Sequence, residues 1–114
     1  MNRFLVLALP GLALAACSPA GPAIGKADSH IECAALISAA DHMMADGTLA
    51  PDTDFQSKIL VSAMTHLNAY AIPEGISEMD ALAAVNTRRD ELRTIVAPEQ
   101  ILERAKACVA KTPG

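Results

Sequence analysis

SHIECAALISAADHMMA, residues 29–45, is the stretch from which the fold can be read. Ser29 and Glu32 have the spacing of a capping box. In that motif a hydroxyl accepts from the third helical amide and a carboxylate reaches back to the cap. Cys33, Leu36, Ile37, Ala40, Met43 and Met44 then recur at helical spacing along one stripe. Ala, Leu and Met give up little side-chain freedom in a helix. Gly47 follows two residues after Ala45 and suits the left-handed conformation that closes one. The segment therefore predicts an amphipathic helix ending near Ala45.

Three more helices follow by the same reasoning. Thr53 with Gln56 repeats the capping signature. It predicts a second helix to about Tyr70, with Ile59, Leu60, Ala63, Met64, Leu67 and Ala71 inward and Pro73 and Gly75 breaking the chain. Ser77 with Asp80 is a weaker cap for a third helix to about Ile95. Leu82, Val85, Leu92 and Val96 face inward there, and a polar surface runs from Asn86 to Glu91. Pro98, at a first-turn position with Glu99, opens a fourth, whose stripe is Ile101, Leu102, Ala105, Cys108 and Val109. The composition agrees: 52% of residues are apolar, with two Phe, one Tyr and no Trp, whereas strands favour aromatic and β-branched residues. The expected fold class is all-α, a small four-helix bundle or orthogonal array over residues 29–112.

The other end of the chain carries a different signal. Arg3 precedes FLVLALPGLALAA, residues 4–16, a run too short for the roughly 20 residues that a membrane-crossing helix needs. A charged start, a short apolar run and small residues at its end have the form of a secretory signal peptide. The run closes on Leu14-Ala15-Ala16-Cys17, which resembles the lipobox of bacterial lipoproteins. The resemblance covers residues 1–17 only. It implies cleavage after Ala16, a diacylglyceryl group on the Cys17 sulfur and acylation of the new amino terminus, so that membrane lipid is the first partner. Ser18 in place of Asp, by resemblance to enteric lipoproteins, implies sorting to the outer membrane. Ordinary secretion is the competing reading, because Ala13-Leu14-Ala15 also satisfies an A-x-A site. Residues 18–28, rich in Pro, Gly and Ala, are expected to be a flexible tether.

Cysteine usage fits lipidation. Of three Cys, assigning Cys17 to lipid leaves Cys33 and Cys108, an even number in an oxidising compartment. Both lie on apolar stripes, in the first and last helices, and they are expected to pair. A domain this small buries little surface and gains much from such a staple.

The candidates for chemistry are weak by comparison. His42, Met43, Met44, Met64 and His66 have side chains that suit Cu(I), but His42 and Met43 are neighbours projecting about 100° apart on a helix. No cofactor is expected. An EF-hand reading of Asp46-Gly47-Thr48 fails, since His42, Met44 and Thr53 stand where the oxygen cage needs carboxylates. Ser62 and His66 are four residues apart, which suits a small hydrolase or lytic accessory only if a carboxylate orients the imidazole. Arg88, Arg89, Arg93, Arg104 and Lys106 form a basic cluster, interspersed with Asp90 and Glu91 as in a solvated helix face. Net charge is −4, divided unevenly: residues 17–80 hold two Lys against nine carboxylates. An acidic chain with few aromatics lacks the footprint of a nucleic-acid binder. The expected role is a non-catalytic interaction module of the cell envelope, with an envelope protein as the further partner.

Overall fold

Ser29 starts the first helix as the sequence predicts: its hydroxyl accepts from the Glu32 amide at 3.3 Å. The computed structural model describes residues 29–114. The signal peptide, the lipobox with Cys17 and the tether lie outside the described residues. Within them the chain forms four helices, α1 (His30–Ala45), α2 (Thr53–Glu74), α3 (Glu78–Ile95) and α4 (Pro98–Ala110), with no strand.

The α1 helix is the hub. Each of the other three packs more extensively on α1 than on either of its other neighbours. Ala34, Ala35 and Ala39 are buried along with the predicted stripe of Cys33, Leu36, Ile37, Ala40, Met43 and Met44. The helix is thus covered on most of its circumference rather than on one face. Alanine makes this possible, because a methyl side chain lets neighbouring helices approach closely without leaving polar atoms unpartnered. The core is completed by Phe55, Leu67 and Ala71 from α2, Ala81, Val85 and Leu92 from α3, and Ile101, Ala105 and Cys108 from α4.

Two predicted boundaries move. Asp52, not Thr53, caps α2, its carboxylate accepting from the Phe55 amide at 3.0 Å. The helix also runs past Tyr70 to Glu74, with Pro73 inside its last turn. Proline there forfeits only one backbone bond, and its fixed φ is compatible with a helix. Gly75, at φ 67°, makes the left-handed closure, and the Ile76 amide returns to the Ala71 carbonyl at 3.0 Å. Gly47 behaves similarly after α1, at φ 87°.

The predicted disulfide is present: the Sγ atoms of Cys33 and Cys108 are bonded, joining α1 to α4 across 75 residues of sequence.

Candidate functional site

The inward face of α2 is only partly the one that apolar spacing predicts: Leu67 and Ala71 are buried and Ile59 and Ala63 pack against the core, but two of the six predicted residues are not inward. Ser62 and His66 are buried, whereas Leu60 is 74% exposed and Met64 also lies at the surface. Leu82 on α3, also expected inward, is nearly half exposed. The cause is the end of α4. A helix leaves its last four carbonyls without intrahelical partners, and buried ones must be satisfied from elsewhere. Nε2 of His66 lies 2.9 Å from the Cys108 carbonyl. Ser62 Oγ lies 2.5 Å from Thr112 Oγ1, which in turn lies 2.7 Å from the Val109 carbonyl. Rotating α2 to bring Leu60 and Met64 inward would withdraw His66 from the Cys108 carbonyl and Ser62 from the Thr112 hydroxyl.

A second histidine completes this network. Nδ1 of His30, in the first turn of α1, lies 3.1 Å from Nδ1 of His66, with the ring centroids 5.3 Å apart. No sequence signal singles out His30, which stands inside the Ser29–Glu32 capping box. A separation of 36 residues between the two imidazoles leaves no local trace in the sequence. Burial holds the His66 imidazole below its ordinary pKa; the Cys108 carbonyl works against that shift, and the charges of His30 and Lys111 add to it.

The five residues of the soft-metal reading do not converge. His42 is exposed at the end of α1, its Nε2 3.4 Å from the guanidinium of Arg89. Met43 and Met44 are in the core, Met64 faces outward, and both nitrogens of His66 are engaged by His30 and Cys108. Among the described residues no three His, Cys, Asp or Glu side chains are grouped to hold a metal ion. The hydrolase constellation does not assemble either. Ser62 bonds to Thr112 rather than to His66, and a histidine occupies the place beside His66 where a carboxylate would be needed.

The basic cluster is neutralised from within. Arg88 grips Glu32 with two bonds, Nε to Oε1 at 2.7 Å and Nη2 to Oε2 at 2.9 Å. Arg104 joins the same carboxylate at 3.4 Å. Glu32 therefore does not serve the capping box it was expected to close. Its carboxylate turns toward α3 and α4, and the paired Arg88 is held above its already high pKa. Arg89 meets Asp90 at 2.9 Å, Arg93 meets Asp46 at 2.8 Å, and Lys106 meets Asp52 at 2.8 Å. Asp46 is also bonded by Thr48 and Asp52 by Lys106, and both carboxyls lie below the usual aspartate pKa in consequence.

No family model, curated protein or solved structure matches the chain. What distinguishes the surface is therefore read from the molecule itself. Leu60, Val61, Met64, Ile72, Met79, Leu82 and Ile95 are the large apolar side chains exposed among the described residues, and all but Ile95 fall between positions 60 and 82. From Ile59 to Pro73 the sequence contains no Asp, Glu, Lys or Arg. The outer face of α2 is thus apolar and uncharged over this stretch.

Proposed function

We propose that this chain is a lipid-anchored protein of the bacterial cell envelope whose helical domain is a non-catalytic interaction module, working by contact. The observation that carries this reading is how the side chains are allocated. The buried hydroxyl and imidazole groups of Ser62 and His66 bond to other side chains or to the end of α4, and the guanidinium groups bond to carboxylates, while large aliphatic and thioether side chains point outward from α2. Contiguous exposed apolar surface on a small protein marks an interaction site.

The location rests on Leu14-Ala15-Ala16-Cys17, and the Cys33–Cys108 bond supports it, because disulfides persist in exported rather than cytosolic proteins. Ser18 fits sorting to the outer membrane. In the mature protein, Cys17 carries the acyl chains and the domain faces the periplasm.

Mass spectrometry of the amino-terminal peptide of the cellular protein, with Cys17→Ser as control, tests the anchor. An acylated peptide beginning at Cys17 is expected, and an unmodified chain beginning at Met1 overturns it. The module is tested by complementation of a deletion strain. Ser62→Ala and His30→Ala are expected to restore function, whereas Leu60→Lys combined with Ile72→Lys is not. A folded Ser62→Ala protein without function would point instead to chemistry at that hydroxyl.

A further inference from the structure

Leu60, Met64, Asn68 and Ile72 succeed one another at four-residue steps and so form one row along α2, with Val61 beside it. From Leu60 to Ile72 this row extends about 18 Å. Leu60, Val61 and Ile72 are each at least 70% exposed. Past the Gly75 turn, Met79 is 82% exposed and Leu82 is half exposed, among the exposed carboxylates of Glu74, Glu78 and Asp80, so the uncharged surface is that of α2 alone. No described helix is long and apolar enough to cross a membrane, so a face of this kind acts from the surface.

We propose that the occupant of this face is the lipid bilayer itself. In this arrangement α2 lies along the membrane with Leu60, Val61, Met64 and Ile72 at the headgroup–acyl boundary, and the domain is held by two contacts, the acylated Cys17 and α2. The inference rests on the lipid anchor proposed for Cys17.

Three observations favour lipid over a protein. The first is reach. Twelve chain steps separate Cys17 from Ser29, a span of at most about 40 Å when fully extended. Ser29 directly precedes His30, whose ring meets His66 midway along α2. The outer face is about one helix diameter, 10 Å, beyond that contact. An anchor at Cys17 therefore holds α2 within reach of the bilayer.

The second is composition. Protein interfaces are anchored by Trp, Tyr and Arg. This face has none of them, and Tyr70, the one aromatic residue nearby, packs against the core. Aliphatic side chains without charge suit the acyl boundary, where every buried ion is costly.

The third is concentration. A short tether presents the face to the membrane at an effective concentration in the millimolar range, so a few inserted side chains suffice where a free protein would need many.

The absence of tryptophan from the chain makes the test direct. The full chain is expressed with its own export segment, purified in detergent, reconstituted into phosphatidylethanolamine–phosphatidylglycerol vesicles and floated. Val61→Trp supplies a reporter on α2, and Glu103→Trp one at an exposed position on α4. Brominated lipid is expected to quench the α2 reporter at least threefold more than the α4 reporter. Adding Leu60→Lys and Ile72→Lys should remove that difference while leaving the helical circular dichroism unchanged. If the protein floats but the α2 reporter is quenched by aqueous iodide as readily as the control, the bilayer contact is overturned and the anchor stands. A blue shift that grows with protein-to-lipid ratio without lipid quenching overturns it in favour of a second copy of the chain. A chain that does not float overturns anchor and contact together.

Discussion

Nδ1 of His30 lies 3.1 Å from Nδ1 of His66, and the network assigns the proton between them. The Cys108 carbonyl, 2.9 Å from Nε2 of His66, can only accept, so Nε2 carries the hydrogen. Neutral His66 then offers Nδ1 as an acceptor, and His30 donates. Protonating His66 would turn its Nδ1 into a donor, so that His30 must change tautomer to accept, and would bury a charge at the junction of α1, α2 and α4.

Stability should therefore fall on mild acidification. The folded-state pKa of His66 is lowered from 6.5, chiefly by burial, so the unfolded chain binds the proton first. Stability from this group is complete above about 6.5 and is lost as pH falls through the lower folded value. The groups facing it are His30 from α1 and Lys111 beyond α4. Urea midpoints at about pH 7.5 and about pH 5 should differ in the wild type and differ much less in His66→Gln. Asp46 and Asp52, lowered from 3.8, contribute only in stronger acid. Equal slopes for the two proteins would remove His66 from the account.

The disulfide closes a long loop. With a sequence separation of 75 between Cys33 and Cys108, the entropy of the unfolded chain assigns the bond about 4.5 kcal/mol. Replacing both cysteines by alanine should lower the unfolding free energy by up to that amount, and dithiothreitol should reproduce the loss. Denatured, unreduced protein should show no titratable thiol from either residue; two would contradict the structure.

Leu36 and Leu60 separate core from surface. Leu36 is fully buried on the central helix and Leu60 is 74% exposed. In detergent, Leu36→Ala should cost about 2–5 kcal/mol, and Leu60→Ala should stay within about 0.5 kcal/mol. Comparable losses at both sites would mean that α2 is rotated from the orientation described.

Glu32 links α1 to α3 and α4. Its side chain is only 14% exposed and takes bonds from Arg88 and Arg104. Glu32→Gln should cost about 1–3 kcal/mol, against less than about 0.5 kcal/mol for Asp54→Asn, whose carboxylate is 83% exposed. A double-mutant cycle with Arg88→Met should return a coupling that survives added salt better than that of the Asp54–Lys58 pair.

The sequence by itself determined the helices, the caps at Ser29 and Ser77, Pro98 at the start of α4 and the pairing of Cys33 with Cys108. The helices and caps are local signals, each written in a few adjacent residues, and the pairing follows from cysteine number and placement on apolar stripes. Only the tertiary structure decided that α1 is the hub, that Glu32 serves Arg88 instead of its own cap, and that α2 turns Ser62 and His66 inward and Leu60 and Met64 outward. Apolar spacing could not choose, because α2 carries apolar side chains on two faces. The choice was favoured by polar groups at the end of α4, about forty residues further along the chain: the Cys108 carbonyl pairs with His66 and the Thr112 hydroxyl with Ser62.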